Sequence, residues 1–390
     1  MSSTPVKRKA TSPPGSAPPS KTATANLSSS GPGSPAAAAA SSPAAPANAD
    51  AALTGALTGG HWLEQELPED DGDDGDSTLG SDAESSTASV SSSILKYRTI
   101  NGRTYHSETV TDGEYWGPND KKHLECLEIY HYAIELLIDN QLHMAPIKDD
   151  IKKALDIGTG MGLWAIDFAD KFETCEVIGT DITPVQPSWV PPNVQFEIDD
   201  AAKEWTYKSN HFDFVHIRFM DGAIEDWNAL YEQAYRVTKP GGWVEHLDHS
   251  PIVTSDDGSV KPGSAMDTYG KVLAEAGRRM GRTLTLADDD TMEEGMKAAG
   301  FINIQSKKYR MPLSPWSQDE RMKQIGLYVL AALHSDVEGV VQYMFGNVMG
   351  WTQEEIKAFA VHMRRELKDN SIHGYYHWKY VWGQKPEDAE

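Results

Sequence analysis

The stretch Ala154-Leu-Asp-Ile-Gly-Thr-Gly-Met-Gly162 limits what this chain can fold into more than any other. An apolar run ends in an acid and then places three glycines at alternate positions. Such a run breaking on glycine reads as a buried strand that turns sharply into a helix. Glycine is needed there because the backbone must turn tightly and approach a ligand closely. A second apolar run, Val177-Ile-Gly-Thr180, ends in Asp181, nineteen residues past Gly162. An acid at the tip of the second strand is how a βαβ unit holds the hydroxyls of a ribose. The two segments together predict a domain that binds an adenosine-containing cofactor.

The glycine spacing narrows the choice. A dinucleotide fingerprint would put its third glycine at position 163, which is Leu163. Asp156, Gly158, Gly160 and Gly162 instead form D-x-G-x-G-x-G, which resembles the S-adenosylmethionine site of Rossmann-like methyltransferases. This resemblance makes Asp156, Gly158, Thr159, Gly160, Gly162, Asp181 and Ile182 candidate cofactor residues. A plain strand-to-helix turn is the competing reading, and the two acids placed on two strands weigh against it. Asn193 to Ala201 reads as a third strand, ending in Asp199-Asp200-Ala201. In the methyltransferase pattern an acid here bonds the adenine amino group. The match to an Asp-Ala pair selects Asp200 and Ala201 over Asp199, with a solvated acidic turn as the alternative.

His211 to Arg218 is the next strand, followed by an amphipathic stretch through Val237. Pro240-Gly241-Gly242 reads as a turn and Trp243 to Leu247 as a further strand. Strands alternating with helices predict an α/β fold with a parallel, doubly wound sheet. Ligands of such sheets lie at the carboxyl ends of the strands, where Asp156, Asp181, Asp200 and Arg218 all fall.

From Tyr97 to about Pro386 the chain resembles the LaeA-like group of fungal S-adenosylmethionine-dependent methyltransferases. Besides the glycine motif, the resemblance rests on Tyr97-Arg-Thr-Ile-Asn-Gly-Arg-Thr-Tyr-His106 with Pro118-Asn-Asp120. It rests also on Val215-His-Ile-Arg218 with Gly222-Ala-Ile-Glu-Asp-Trp227, and on Tyr235-Arg-Val-Thr-Lys-Pro-Gly-Gly-Trp-Val-Glu245. It implies a seven-stranded Rossmann-like sheet whose last strand is antiparallel, an N-terminal cap segment, and a helical insert before the last strand. It implies S-adenosyl-L-methionine as cofactor. The group contains a nuclear regulator of secondary metabolism and also enzymes of biosynthetic pathways. The leading expectation is therefore a methyltransferase regulating fungal secondary metabolism. A small-molecule methyltransferase of a natural-product pathway and a cofactor-binding scaffold without turnover are the alternatives.

Residues 1–93 are dominated by Ser, Pro, Ala, Thr and Gly, with five alanines at 36–40 and an acidic block at 70–76. Their apolar side chains are too sparse to offset chain entropy, so a disordered tail is expected. Residues 94–390 are expected to form the methyltransferase domain, with 94–150 as the cap segment and 151–390 as the core with its insert. The tail holds four Lys/Arg against eleven Asp/Glu, or −7, which leaves −16 of the total −23 on the rest. That balance argues against direct binding to nucleic acid, whose phosphates demand a cationic face; regulatory protein partners remain compatible. The two cysteines, Cys126 and Cys175, form no framework of pairs and lack the neighbours of a metal site. No apolar run reaches membrane-spanning length, and no secretory signal is evident. These features suit the nucleus, the cytoplasm or both. Lys7-Arg8-Lys9 is a candidate import signal, set against three chance basic residues in a tail.

Lys96 to His106 reads as a hairpin around Asn101-Gly102. Asp120 is placed to cap a following helix whose apolar stripe carries Leu124, Leu127, His131, Ile134 and Ile138. His131 on that stripe reads as a core histidine. Tyr97, Tyr105, Tyr115 and Trp116 concentrate aromatic surface just ahead of the core and are candidates for a lid over the cofactor, or else for ordinary edge packing. Asp267 to Gly300 is largely helical in pattern, and Phe301 to Arg310 reads as a strand. Ser317-Gln-Asp-Glu320 and Thr352-Gln-Glu-Glu355 both resemble capping boxes. His373 to Lys385 reads as the final strand. Met322, Met344, Met349 and Trp351 are read as core, with a substrate pocket as the alternative. His216, His246 and His249 lie near strand ends and are candidates for a general base, if the acceptor needs one. The residues do not choose among them, and they leave the methyl acceptor open.

Overall fold

The computed structural model describes residues 58–66, 93–111 and 115–389. The candidate import signal Lys7-Arg8-Lys9, the acidic block and nearly all of the tail lie outside the described residues.

A seven-stranded sheet organises the core. Its strands are β3 (Lys153–Ile157), β4 (Glu176–Asp181), β5 (Val194–Ile198), β6 (Phe212–Arg218), β7 (Thr238–Thr254), β8 (Ile302–Pro312) and β9 (Tyr375–Gln384), in spatial order β5-β4-β3-β6-β7-β9-β8. The first five are parallel, and β9 is antiparallel to both β7 and β8. The sheet order reverses between β3 and β6, so a crevice opens at their carboxyl ends. The seven strands and the antiparallel final strand agree with what the resemblance implies.

Side chains alternate across this sheet because successive residues of a strand face opposite sides. Leu155, Val215 and Val244 pack with α4 (Trp227–Val237) and α6 (Thr291–Ala299). Ala154, Phe214 and Leu247 face the other way, toward α2 (Lys121–Leu137), α3 (Leu163–Lys171) and α5 (Ala265–Arg279). Burial on both faces explains why the strands read as continuous apolar runs rather than as alternating ones.

The strand β7 is longer than the sequence suggests. Pro240-Gly241-Gly242 is not a turn before the strand but an irregularity inside it: Thr238 pairs with Phe212 and Trp243 with Phe214. Gly241 accommodates the bend at φ +77°. The strand then continues past Leu247, because His249 and Ser250 pair with Trp378 and His377 of β9.

The N-terminal cap begins with the hairpin β1 (Arg98–Ile100) and β2 (Arg103–Tyr105), turned through Asn101 (φ 50°) and Gly102 (φ 81°). Asp120 caps α2 by accepting from the backbone N–H of His123. The buried face of α2 is broader than the expected stripe. His131, Ile134 and Ile138 are buried as expected, His123, Cys126, Tyr130, Ala133 and Leu137 join them, and Leu124 and Leu127 are half-buried, because the helix lies between the core and α7 (Glu320–Val341).

The insert between β8 and β9 holds α7, a π-helical turn (Gln342–Val348) and α8 (Gln353–Lys368). Thr352 and Glu355 form the expected capping box, and Ile356, Phe359, Ala360, Met363 and Leu367 form the buried stripe of the helix. The other expected box does not form. Asp319 caps α7 instead, since its carboxylate accepts from Met322 N–H while Ser317 Oγ accepts from Asp319 N–H. Met344 and Trp351 are core residues, and Met322 and Met349 pack against that core.

Within the span expected to be tail, α1 (Gly60–Leu63) forms a helical turn. Trp62 is 2% exposed there and packs edge-on against Phe359, beside His362. One buried indole supplies the apolar area that the surrounding Ser/Pro/Ala sequence lacks.

Cap and insert are joined by a buried ion network. Arg103 donates to Asp120 at 2.5 and 2.9 Å and to Asp336 at 2.8 and 2.9 Å, and His123 Nδ1 lies 3.2 Å from Asp336. Asp336 is fully buried and leaves helical geometry inside α7 (φ −139°, ψ 41°). A side chain at Gly339 would collide with both Asp336 and Arg103. Removing one member of a buried pair strands the other, typically at about 3–5 kcal/mol. Arg103→Met is therefore expected to lower the unfolding free energy of the full chain by about 3 kcal/mol in urea titration; an unchanged midpoint would show that the network does not lock the cap.

Candidate functional site

A cavity of about 490 Å³ opens at the carboxyl ends of β3, β4, β5 and β6. Gly158, Thr159, Gly160, Asp181, Ile182, Asp200, Ala201 and Arg218 all line it, as do Asp199 and Met161. The sequence motifs, spread over some sixty positions, thus meet in one place.

The glycine turn is built from three left-handed residues at Gly158 (φ 68°), Gly160 (φ 57°) and Gly162 (φ 78°). They do different jobs. A Cβ at Gly158 would collide with Met220, and one at Gly162 with the Phe196 ring. A Cβ at Gly160 meets nothing within 4 Å, so its face is open. Gly160 N–H donates to Asp181 Oδ2 at 2.8 Å, and Gln186 Nε2 donates to its carbonyl at 2.6 Å. Asp181 Oδ1 accepts from Thr183 N–H at 2.9 Å. Burial pushes the Asp181 carboxyl up to about 6, against the pull of these two amides.

Asp156 and Gly162 lie behind the cavity wall rather than on it. Asp156 accepts from Thr159 Oγ1 at 2.6 Å, and its other oxygen meets His216 Nδ1 at 2.7 Å. His216 is sandwiched against Trp164, with ring centroids 3.7 Å apart and 2° between planes. Burial drives His216 down to about 4 despite Asp156, which keeps the imidazole neutral. It braces the turn from below.

At the third strand Asp200 Oδ1 accepts from Ala202 N–H at 3.0 Å, and the carboxylate faces the cavity. Arg218 is tied by Nη2 to His131 Nδ1 at 3.0 Å, and His131 Nε2 reaches Asp167 at 3.1 Å. His131 is thus a buried bridge that also lines the cavity, more than a core filler.

Of the four aromatic lid candidates, Tyr115 and Trp116 line the cavity. Tyr105 lies off it, fully buried against Tyr343 of the π-helical turn, and Tyr97 is half-buried away from it. Trp116 Nε1 donates to Asp221 O at 3.1 Å and covers Gly222. Four further lining residues were passed over by the sequence reading: Tyr130, Met220, Asp221 and Tyr269. One signal for them was available, an Asp-Gly pair that begins three residues beyond the end of β6. The backbone turns there through Phe219 at φ 59°, a strained conformation for a bulky residue.

The three histidine candidates separate. His246 is fully buried, with Tyr231 Oη 2.7 Å from its Nδ1 and Asp248 3.1 Å from its Nε2. Neither it nor His216 borders the cavity, whereas His249 does.

An open sheet of this order, with a glycine turn and acids at consecutive strand tips, defines a nucleoside-binding α/β protein. A methyltransferase-domain family model matches residues 129–306. Methyltransferase pytC of Aspergillus terreus is 35% identical over 306 residues, which cover 78% of this chain and 93% of that protein. Secondary metabolism regulator LAE1 of Cochliobolus heterostrophus is 33% identical, covering 70% and 90%. Protein-methionine methyltransferase laeA of Emericella nidulans is 28% identical, covering 76% and 78%. The chain belongs to the LaeA-like family of S-adenosylmethionine-dependent methyltransferases. Among the described residues no helix is long and apolar enough to cross a membrane.

Gly162→Ala is expected to destabilise the chain by more than the roughly 1–2 kcal/mol of a left-handed alanine, because the rigid Phe196 ring must also move. Urea unfolding of the variant tests this, and a cost under about 1 kcal/mol would mean that the turn relaxes freely.

Proposed function

We propose that this chain is a LaeA-like regulator of fungal secondary metabolism that acts by methyl transfer within the cavity described above. One observation carries the site assignment: the open face of Gly160, Asp181 and Asp200 border a single cavity on three consecutive strands. Residues 94–390 work as one catalytic unit, with 94–150 closing over the core.

The residues fit an adenosyl group. Asp181 accepts from the ribose hydroxyls, Asp200 from the adenine amino group, and Gly160 leaves room for the amino-acid tail. Ile182 and Ala201 flank the nucleoside, while Arg218 sits at the end of β6 beside the tail. Asp156, Thr159 and Gly162 hold the turn in shape. When bound, S-adenosylmethionine supplies an electrophilic methyl group for direct displacement. The chain's own contribution is orientation and exclusion of water, which Tyr115 and Trp116 support from above.

The likeness to LAE1 over 90% of that protein supports the regulatory reading. The acidic surface and the basic triplet Lys7-Arg8-Lys9 suit a protein that joins protein partners in the nucleus or cytoplasm. The 35% identity to pytC favours a second reading, a natural-product methyltransferase. Metabolite profiling of a deletion strain separates them, since a regulator changes many products and a pathway enzyme changes one. Labelled cofactor with fungal extract then reports whether methyl lands on protein or on a small molecule.

Calorimetry with S-adenosylhomocysteine tests the site itself. Gly160→Leu is expected to abolish binding in a folded protein and Asp181→Ala to weaken it at least tenfold, about 1.4 kcal/mol. Wild-type affinity is expected to hold above about pH 6 and to fall below it, as Asp181 takes up a proton and loses its charge. Wild-type affinity in both variants would remove the site.

A further inference from the structure

His249 stands on the wall of the cavity. Its ring is fixed on three sides. It stacks on Trp378, with centroids 4.9 Å apart and 25° between planes, and meets Phe219 and Tyr376 edge-on at 5.1 and 5.6 Å. Its Nδ1 faces two buried carboxylates, Asp221 Oδ1 at 3.6 Å and Asp248 Oδ1 at 3.7 Å. Both His249 Nδ1 and Asp221 Oδ1 are buried, and neither makes a hydrogen bond.

The carboxylates are themselves held in place. Asp248 accepts from Met220 N–H at 2.9 Å and from His249 N–H at 2.9 Å. Its Oδ2 also lies 3.1 Å from His246 Nε2, and Tyr231 orients His246. Asp221 is delivered by the strained backbone at Phe219, and Trp116 grips its carbonyl. Backbone strain of this kind costs about 1–3 kcal/mol and persists only where the surroundings enforce it.

We propose that His249 is the general base of methyl transfer, with Asp221 and Asp248 as its positioning residues, and that the acceptor is therefore a proton-bearing oxygen or nitrogen. The proposal rests on the cofactor placement given above. The geometry is that of a histidine with one ring nitrogen turned to carboxylates and the other, Nε2, left to the cavity. The imidazole–carboxylate separation is long for a hydrogen bond, and such contacts close up when the reactants bind. In the step itself the acceptor's heteroatom forms the new bond to carbon, and the sulfur keeps the electron pair of the bond that breaks. The proton leaving the heteroatom goes to His249 Nε2. Burial lowers the basicity of His249, but Asp221, Asp248 and the more distant Asp288 outweigh it and raise it. Tyr130 and Tyr269 complete an aromatic wall for the acceptor.

The test uses the full chain. Calorimetry with S-adenosylhomocysteine is expected to give affinities within about twofold for wild type and His249→Ala, while transfer of labelled methyl to fungal extract falls about 100-fold or more. Asp221→Asn is expected to move the acid limb of the transfer–pH profile to lower pH, because it removes a carboxyl, itself pushed up to about 8 by burial and Asp248, whose ionised form raises His249. Histidine NMR is expected to show the same downward movement of the His249 titration in Asp221→Asn, with no acceptor present. Label transfer by His249→Ala at the wild-type rate, as a thioether acceptor allows, overturns the proposal. So does a His249 titration that Asp221→Asn leaves in place. Failure of the wild type to bind S-adenosylhomocysteine at all overturns the cofactor placement instead.

Discussion

The cavity floor depends on one buried carboxylate. Asp156 lies one residue before the end of β3 inside the sheet, where an unpaired charge is costly. It is tolerated because Thr159 and His216 both bond to it. Those two bonds tie the glycine turn to the neighbouring strand β6, and His216 in turn carries the stacked Trp164 at the start of α3. A second buried acid, Glu245 of β7, accepts from the backbone amides of Met144 and Ala145 and from Tyr380 Oη. Burial pushes it up to about 7. The segment leading into β3 is thereby fixed to the same sheet. Polar networks of this sort are stable only when nearly every member is satisfied, and these largely are.

Around that floor the walls are less uniform. The cofactor side is lined by backbone and by acids whose oxygens already accept amide hydrogens. The rest of the lining holds rings, with an Asp–Asp–His group in which His249 Nδ1 and Asp221 Oδ1 are not paired. The contrast suits the proposed division of the cavity between a nucleoside and a second reactant.

Much of this was legible in the chain. Sheet burial on both faces leaves apolar runs, three of which stop at an acid and the fourth at Arg218, so β3, β4, β5 and β6 and their tips could be placed from sequence. The glycine spacing selected the cofactor because only one pattern puts glycine at 162 rather than 163. Legibility failed where tertiary contacts decide. Whether Ser317 or Asp319 caps α7 depends on competing side chains two residues apart. Nothing local says that β7 absorbs Pro240-Gly241-Gly242 and runs on to Thr254, since its second half is defined by β9, more than a hundred residues away. Trp62 looks like an isolated aromatic until Phe359 is seen beneath it. The choice among three histidines turned on which of them borders an empty space, a property no one-dimensional pattern carries.

The bond between the N-terminal hairpin and the insert helix also bears on how reactants come and go. Arg103 grips the capping acid of α2 and the kinked turn of α7 at once, and α2 forms one side of the chamber. Hinging the hairpin alone would take both guanidinium bonds from buried Asp336 and leave it facing His123. Hairpin, α2 and α7 therefore resist separation as a unit, because moving any one of them breaks the same set of bonds.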